Sequence, residues 1–276
     1  MNAPANPNKA LWEKGDFTRI AQAMRQSGEE LVAKIGIRPG EYVLDLGCGD
    51  GTTALPAAQA GAHVLGVDIA SNLVAAGNRR AKEAGLTNLL HFREGDACDL
   101  QNVESKMFDH VVSIFGAMFA PRPFDVAREM VRVAKRGGRI TMGNWIPNDP
   151  TLVAQILKIS ASYSPPPPEG FVSPMTWGVE SNVVERFTAA GVDARDVAFE
   201  KDVYTFRFDG TPAGFVDTFR RYYGPTMNAF DAAAKNGKED QLRRELEELF
   251  TRQNTSTEAG KTVIPANFLR VTVRVR

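Results

Sequence analysis

Three glycines at alternate positions, Gly47, Gly49 and Gly51, close a short apolar run, Val43-Leu44-Asp45-Leu46. Glycine so repeated works against a regular helix. It permits positive φ and lets backbone approach a ligand where no Cβ intervenes. Val43, Leu44 and Leu46 read as a buried strand, and the alanine-rich residues 52–60 that follow read as a helix. Strand, glycine turn and helix together make a nucleotide cradle at the carboxyl end of a strand. The dinucleotide fingerprint G-x-G-x-x-G is not met. Counted from Gly47 and Gly49, its third glycine belongs at position 52, where Thr52 stands. Asp45, in the strand end, favours a ligand carrying an amine or another cation.

The rest of the composition removes several function classes. The chain has 276 residues, with 33 Lys and Arg against 33 Asp and Glu. That balance leaves no electrostatic footprint for nucleic acid or an anionic membrane. No run approaches the roughly 18 apolar residues of a membrane span. The polar first nine residues lack the apolar core of a signal peptide. Cys48 and Cys98 are the only cysteines and show no C-x-x-C spacing, so neither a zinc nor a redox motif is expected. A cytoplasmic protein with no resident metal is the simple reading.

The run VLDLGCGDG resembles the first motif of class I S-adenosylmethionine (SAM)-dependent methyltransferases, of the small-molecule type that includes ubiquinone and menaquinone biosynthesis enzymes. The resemblance implies an α/β, Rossmann-like sheet of seven strands, mostly parallel with the last antiparallel, flanked by helices. It also implies SAM as cofactor. The expected layout is a single domain over 1–276 with its SAM-binding core at 37–147. Stretches 148–178 and 209–264 are expected insertions that form a helical substrate cap between the late strands.

Candidate cofactor residues follow along the chain. Asp45, Gly47, Cys48 and Gly49 form the cradle. Residues 63–68 read as a second strand ending in Asp68, 21 positions after Gly47, the spacing at which an acid accepts from ribose hydroxyls. Ser71 offers the cap for the helix that follows, and Ile69 makes an apolar wall under the adenine. The resemblance assigns Asp96 to the adenine amine and Ala97 to the ring. It places Phe115 and Met118, after a fourth strand at 108–115, where the methionine arm meets the substrate. It lays an N-terminal helix over the cofactor, with Trp12, Phe17 and Arg19 as contacts and Arg19 pairing the cofactor carboxylate.

Secondary signals fill in the remainder. Residues 11–36 read as one or two helices, with Ser27 and Glu30 as a capping box. Phe124, Ala127, Met130 and Val131 form the expected buried stripe of a helix opened by Pro123. A fifth strand is expected at 139–145, a sixth within 195–208 and a seventh at 269–276, where Val271, Val273 and Val275 alternate with polar residues. Pro165 to Pro168 read as a stiff wall beside the site, with an SH3-type ligand as the other reading.

Transfer of a methyl group from a sulfonium releases a neutral leaving group, so positioning can supply most of the catalysis. No catalytic base is assigned, and His63, His91 and His110 read as structural. Tyr222 or Tyr223, and Trp145 with Asn148, are candidate substrate contacts. The expected activity is methylation of a small apolar or aromatic acceptor on O, N or C, by a chain that forms a homodimer or acts alone. The alternatives are a SAM-binding protein without turnover, a protein methyltransferase, and a nucleotide-dependent oxidoreductase, which Thr52 argues against.

Overall fold

The computed structural model describes residue 6 and residues 8–276. Seven strands form one sheet: β1 (Tyr42–Leu46), β2 (His63–Asp68), β3 (Leu90–Glu94), β4 (Phe108–Ile114), β5 (Ala134–Trp145), β6 (Val197–Phe208) and β7 (Thr262–Arg274). Their order is β3-β2-β1-β4-β5-β7-β6. β1 to β5 pair in parallel, and β7 runs antiparallel to both β5 and β6. The chain steps outward from β1 to β3, then returns to lay β4 on the other side of β1. That reversal opens a crevice at the carboxyl ends of the central strands.

Helices cover both faces. Before β1 come α1 (Asn8–Lys14), α2 (Thr18–Ala21), one 3₁₀ turn (Gln22–Met24) and α3 (Arg25–Ile35). Then come α4 (Ala54–Gln59), α5 (Ser71–Glu83), α6 (Pro123–Val133), α7 (Leu152–Tyr163) and α8 (Glu180–Ala189). The last three are α9 (Pro212–Tyr222), α10 (Gly224–Lys235) and α11 (Glu239–Gln253). Helix α11 buries Leu242, Leu246, Leu249 and Phe250, the apolar stripe its sequence spacing encodes. α7, from the first expected insertion, packs against α10 and α11 from the second, so the two stretches merge into one helical layer. Among the described residues no helix is long and apolar enough to cross a membrane.

Several local expectations are corrected. Ser27 does not open a helix. The backbone is helical from residue 18 to residue 35, so position 27 has no free helix end to cap. The Ser27 hydroxyl instead donates to the Thr205 carbonyl at 2.9 Å and accepts from the Thr205 amide at 3.0 Å, pinning α3 to β6. The α6 stripe is Val126, Ala127, Met130 and Val133, while Phe124 is 44% exposed. β7 starts seven residues earlier than its valine alternation announces. Pro265 interrupts the signal, and it sits where β7 pairs only with β6, so its missing N–H breaks no ladder. Residues 165–170 are exposed, and none of them lines the crevice.

Candidate functional site

The crevice is a cavity of about 1190 Å³ of empty space, mouth included. β1 ends in Asp45 and Leu46 and turns at Gly47, Gly49 and Gly51, whose φ values are 70°, 55° and 89°. A Cβ on Gly47 would lie 2.7 Å from the Gly116 Cα, and one on Gly51 would lie 2.6 Å from the Phe92 ring. The turn is tied down by Gly47 N–H donating to the Val67 carbonyl at 2.7 Å. The Ser113 hydroxyl, which donates to the Leu46 carbonyl at 2.6 Å, fixes β4 beside it.

Four carboxylates edge this half of the cavity. Asp45 is 2% exposed, and its Oδ2 has no hydrogen-bond partner among the described residues. Burial, with the nearby Asp68 charge, pushes its pKa up to about 7. Asp68 closes β2. Its Oδ2 accepts from the Gly49 amide at 2.8 Å and its Oδ1 from the Ala70 amide at 2.9 Å. Burial raises its pKa, and these amides oppose the rise. Asp96 Oδ1 accepts from the Cys98 amide at 2.8 Å and from the Asn6 side chain at 3.1 Å. Asp50 is met by Arg25 at 3.0 Å and by Arg80 at 3.4 Å. Cys48 lines the cavity as a buried thiol whose pKa is pushed up by burial and by Asp68 and Asp45, so it is poorly nucleophilic.

The other half is aromatic. Phe115 reaches it from left-handed backbone, φ 63°, an outlier for a bulky residue. Its ring lies flat on Trp145, centroids 3.7 Å apart and planes within 8°. Tyr204 stands edge-on to Phe115 at 5.0 Å, and its hydroxyl donates to the Met24 carbonyl at 3.2 Å. Phe206, Phe219 and Tyr223 extend this wall. Trp12 of α1 also lines the cavity, edge to face with Phe119 at 5.0 Å and with Phe17 at 5.7 Å.

Of the residues singled out in the sequence, Asp45, Gly47, Cys48, Gly49, Asp68, Ile69, Asp96, Ala97 and Phe115 all line this one cavity, as do Trp12, Phe17, Trp145 and Tyr223. Arg19 and Met118 do not. Arg19 is directed outward, its side chain 55% exposed and paired with Asp16 at 3.3 Å. Tyr222 lies beside it, with the guanidinium 5.9 Å from the ring centroid. Met118 is 1% exposed in the core, on the inner side of a 3₁₀ turn whose other residues reach the cavity. Ser71 does not cap α5. Its amide and hydroxyl both donate to Glu13 of α1, at 3.0 and 2.7 Å. Sequence reasoning missed Asp50, although it sits within the glycine run, and also Tyr204 and Phe206.

A switch-point crevice with a glycine cradle and an acid at the end of the second strand defines a Rossmann-like nucleotide-binding enzyme fold. The methyltransferase-domain family model matches residues 44–142. The chain is 36% identical over 233 residues to the uncharacterized protein Rv1403c of Mycobacterium tuberculosis, covering 84% of this chain and 82% of that one. It is 28% identical to the 27-O-demethylrifamycin SV methyltransferase of Amycolatopsis mediterranei, over 51% of this chain and 52% of that enzyme. Phospholethanolamine N-methyltransferase 2 of Haemonchus contortus, solved with S-adenosylhomocysteine, shares the fold at 15% identity and TM-score 0.60, over 98% of this chain and 60% of that one. The chain belongs to the class I SAM-dependent methyltransferases, and SAM is its cofactor.

The cavity suits that cofactor. The buried Asp45 Oδ2, without a partner among the described residues, can accept from a donor on the cofactor, and the Gly47 position leaves no room for a side chain.

Proposed function

We propose that the chain methylates a small apolar or aromatic acceptor, held in the aromatic half of the cavity beside the cofactor. The cofactor supplies an electrophilic methyl on a sulfonium. In this reading Asp45 takes its ammonium, and Gly47 and Gly49 let backbone approach its methionine portion. Asp68 accepts from the ribose hydroxyls, Asp96 from the adenine amine, and Ile69 and Ala97 flank the ring. Phe115 and Trp145 orient the acceptor, and the helical layer of α7, α9 and α10 excludes water. The observation that carries this reading is the lining of one cavity: four acids stand on the glycine turn and at the ends of β1, β2 and β3, and aromatic rings from the end of β4, from β5, β6 and α9 complete the wall.

Calorimetric titration with SAM, S-adenosylhomocysteine and NAD, on wild type and Asp68→Ala, tests the cradle. Micromolar SAM binding that is largely lost in the variant is expected. Undiminished binding in Asp68→Ala would remove Asp68 from the ribose site. An acceptor screen of quinols, phenols and amines with radiolabelled methyl then tests the chamber. Transfer only to charged, non-aromatic acceptors would overturn it.

A further inference from the structure

Among the described residues the cavity wall carries four carboxylates and no lysine, arginine or histidine. All four acids stand on β1, on the glycine turn, or just at and beyond the ends of β2 and β3. The aromatic rings bring no charge of their own, and Asp45 is the acid of the wall that acts on them. The phenols are poor bases, because burial raises the pKa of both Tyr204 and Tyr223, with the Asp45 charge adding to the rise at Tyr204. His110 is buried near the start of β4, away from the cavity at that strand's other end. Its Nδ1 accepts from Arg139 at 3.0 Å and its Nε2 meets the Thr141 hydroxyl at 2.8 Å. His63 and His91 are exposed outside the wall.

These facts narrow the nucleophile. A phenolate, thiolate or carboxylate would enter an apolar end whose wall offers no cation among the described residues, so that the cofactor's sulfonium alone offsets the burial of its charge. A hydroxyl or carbon acid must lose a proton as it is methylated, and the one acid of the wall that acts on this end, Asp45, is engaged by the cofactor ammonium in the reading above. A neutral amine brings its own lone pair. Positive charge then grows on its nitrogen, and aromatic faces attract a cation.

Resting on the reading of this end as the acceptor chamber, we propose that the acceptor is an apolar amine, methylated on nitrogen in its uncharged form. Phe115, Trp145, Phe219 and Tyr223 face the charge that develops. The nitrogen lone pair forms the new N–C bond. The S–C bond of the sulfonium breaks, and its electron pair stays on sulfur, which leaves as a neutral thioether. A primary or secondary amine gives its extra proton to water after release, and a tertiary amine has none to lose.

The test uses the full chain saturated with S-adenosylhomocysteine and three probes of similar shape, followed by tryptophan fluorescence. They are benzyltrimethylammonium, its uncharged isostere neopentylbenzene, and phenylacetate. The ammonium is expected to bind at least tenfold more tightly than neopentylbenzene, and phenylacetate not to bind. That preference is expected to shrink to under threefold in Trp145→Leu and in Phe219→Leu, the second variant covering a failure of the first to fold. Neopentylbenzene binding as tightly as the ammonium would overturn the amine and leave the apolar chamber standing. Phenylacetate binding tightest, or a preference unchanged in the variants, overturns the amine as well. Binding of none of the three overturns both the amine and the chamber.

Discussion

Gly47 and Gly116 stand back to back. A Cβ on Gly116 would lie 2.1 Å from the Gly47 carbonyl oxygen, and one on Gly47 would lie 2.7 Å from the Gly116 Cα. The cradle after β1 and the turn after β4 thus touch backbone to backbone, which brings the cofactor end and the aromatic end of the cavity together. Gly116 has an ordinary φ of −85°, so only space forbids a side chain there. Gly116→Ala is expected to destabilise by about 3 kcal/mol or more, at the upper end of overpacking costs, because backbone cannot swing aside as a side chain can. Gly49→Ala is the contrast. Its Cβ meets nothing closer than Phe17 at 3.9 Å, and its cost is the left-handed backbone alone, about 1–2 kcal/mol. Urea midpoints of the two variants check the order.

Asp45 makes the ligand-free protein sensitive to pH. An aspartate ionises near pH 3.9 in an unfolded chain, whereas Asp45 in the fold is pushed up to about 7. Between those values the folded state keeps a proton that the unfolded chain has lost. The stabilisation is therefore complete below about pH 4 and lost as pH rises through about 7, a swing on the order of 4 kcal/mol. Asp45→Asn carries no such charge. It is expected to melt higher than wild type at pH 8 and to match it near pH 4, while binding SAM more weakly at pH 8. Thermal melts and calorimetry at the two pH values check this. A variant that melts no higher than wild type at pH 8 would mean that the fold does not raise the Asp45 pKa.

The division between legible and illegible parts of the site follows from sequence distance. Gly47 to Gly51, Asp68 and Asp96 each end or follow a parallel strand, so local spacing places them in one crevice once the fold class is known. Tyr204 and Phe206 reach the same cavity from β6, the far edge strand. Which face of β6 turns inward depends on its pairing with β7 and on Ser27 locking α3 against Thr205, neither of which has a local signal. Arg19 and Met118 fail for a related reason. Each sits one or two residues from a cavity-lining side chain, and within a helix or 3₁₀ turn that offset reverses the face. Asp50 hid in plain view, because its role depends on two arginines contributed by α3 and α5.

Asp50 holds the glycine turn to those two helices. It is 1% exposed, and Arg80 also donates to its backbone carbonyl at 2.6 Å. Removing one member of a buried ion cluster leaves the others uncompensated, at about 3–5 kcal/mol for complete burial. Arg25 is 36% exposed and can find water, so the loss here should be nearer 2–3 kcal/mol. Asp50→Ala is expected to lose that much stability and to weaken SAM binding at least tenfold, with Arg25→Ala costing well under half as much. Denaturant titration with parallel calorimetry separates the two effects. Equal losses in both variants would show that Arg80 carries little of the tie.

Helix α1 is the part of the site most free to open. None of its residues is buried. It is held by Glu13 to Ser71, by Lys14 to Asp231 at 2.6 Å, by Lys9 to Glu94, and by Trp12 over Phe119. Exposed ion pairs of this kind add little each and are screened by salt, so α1 should detach well below the free energy of global unfolding. Its Trp12 lines the cavity, so detachment would open a way out for the cofactor product. The release rate of S-adenosylhomocysteine is therefore expected to rise several-fold between 50 mM and 1 M salt. In the triple variant Lys9→Ala, Glu13→Ala, Lys14→Ala, release should be fast at both salt concentrations while the melting temperature stays within a few degrees of wild type. Stopped-flow displacement measures the rates, and hydrogen exchange of the α1 amides reports the opening directly. A release rate unmoved by both salt and the triple variant would mean the product leaves by another path, with α1 as a fixed wall.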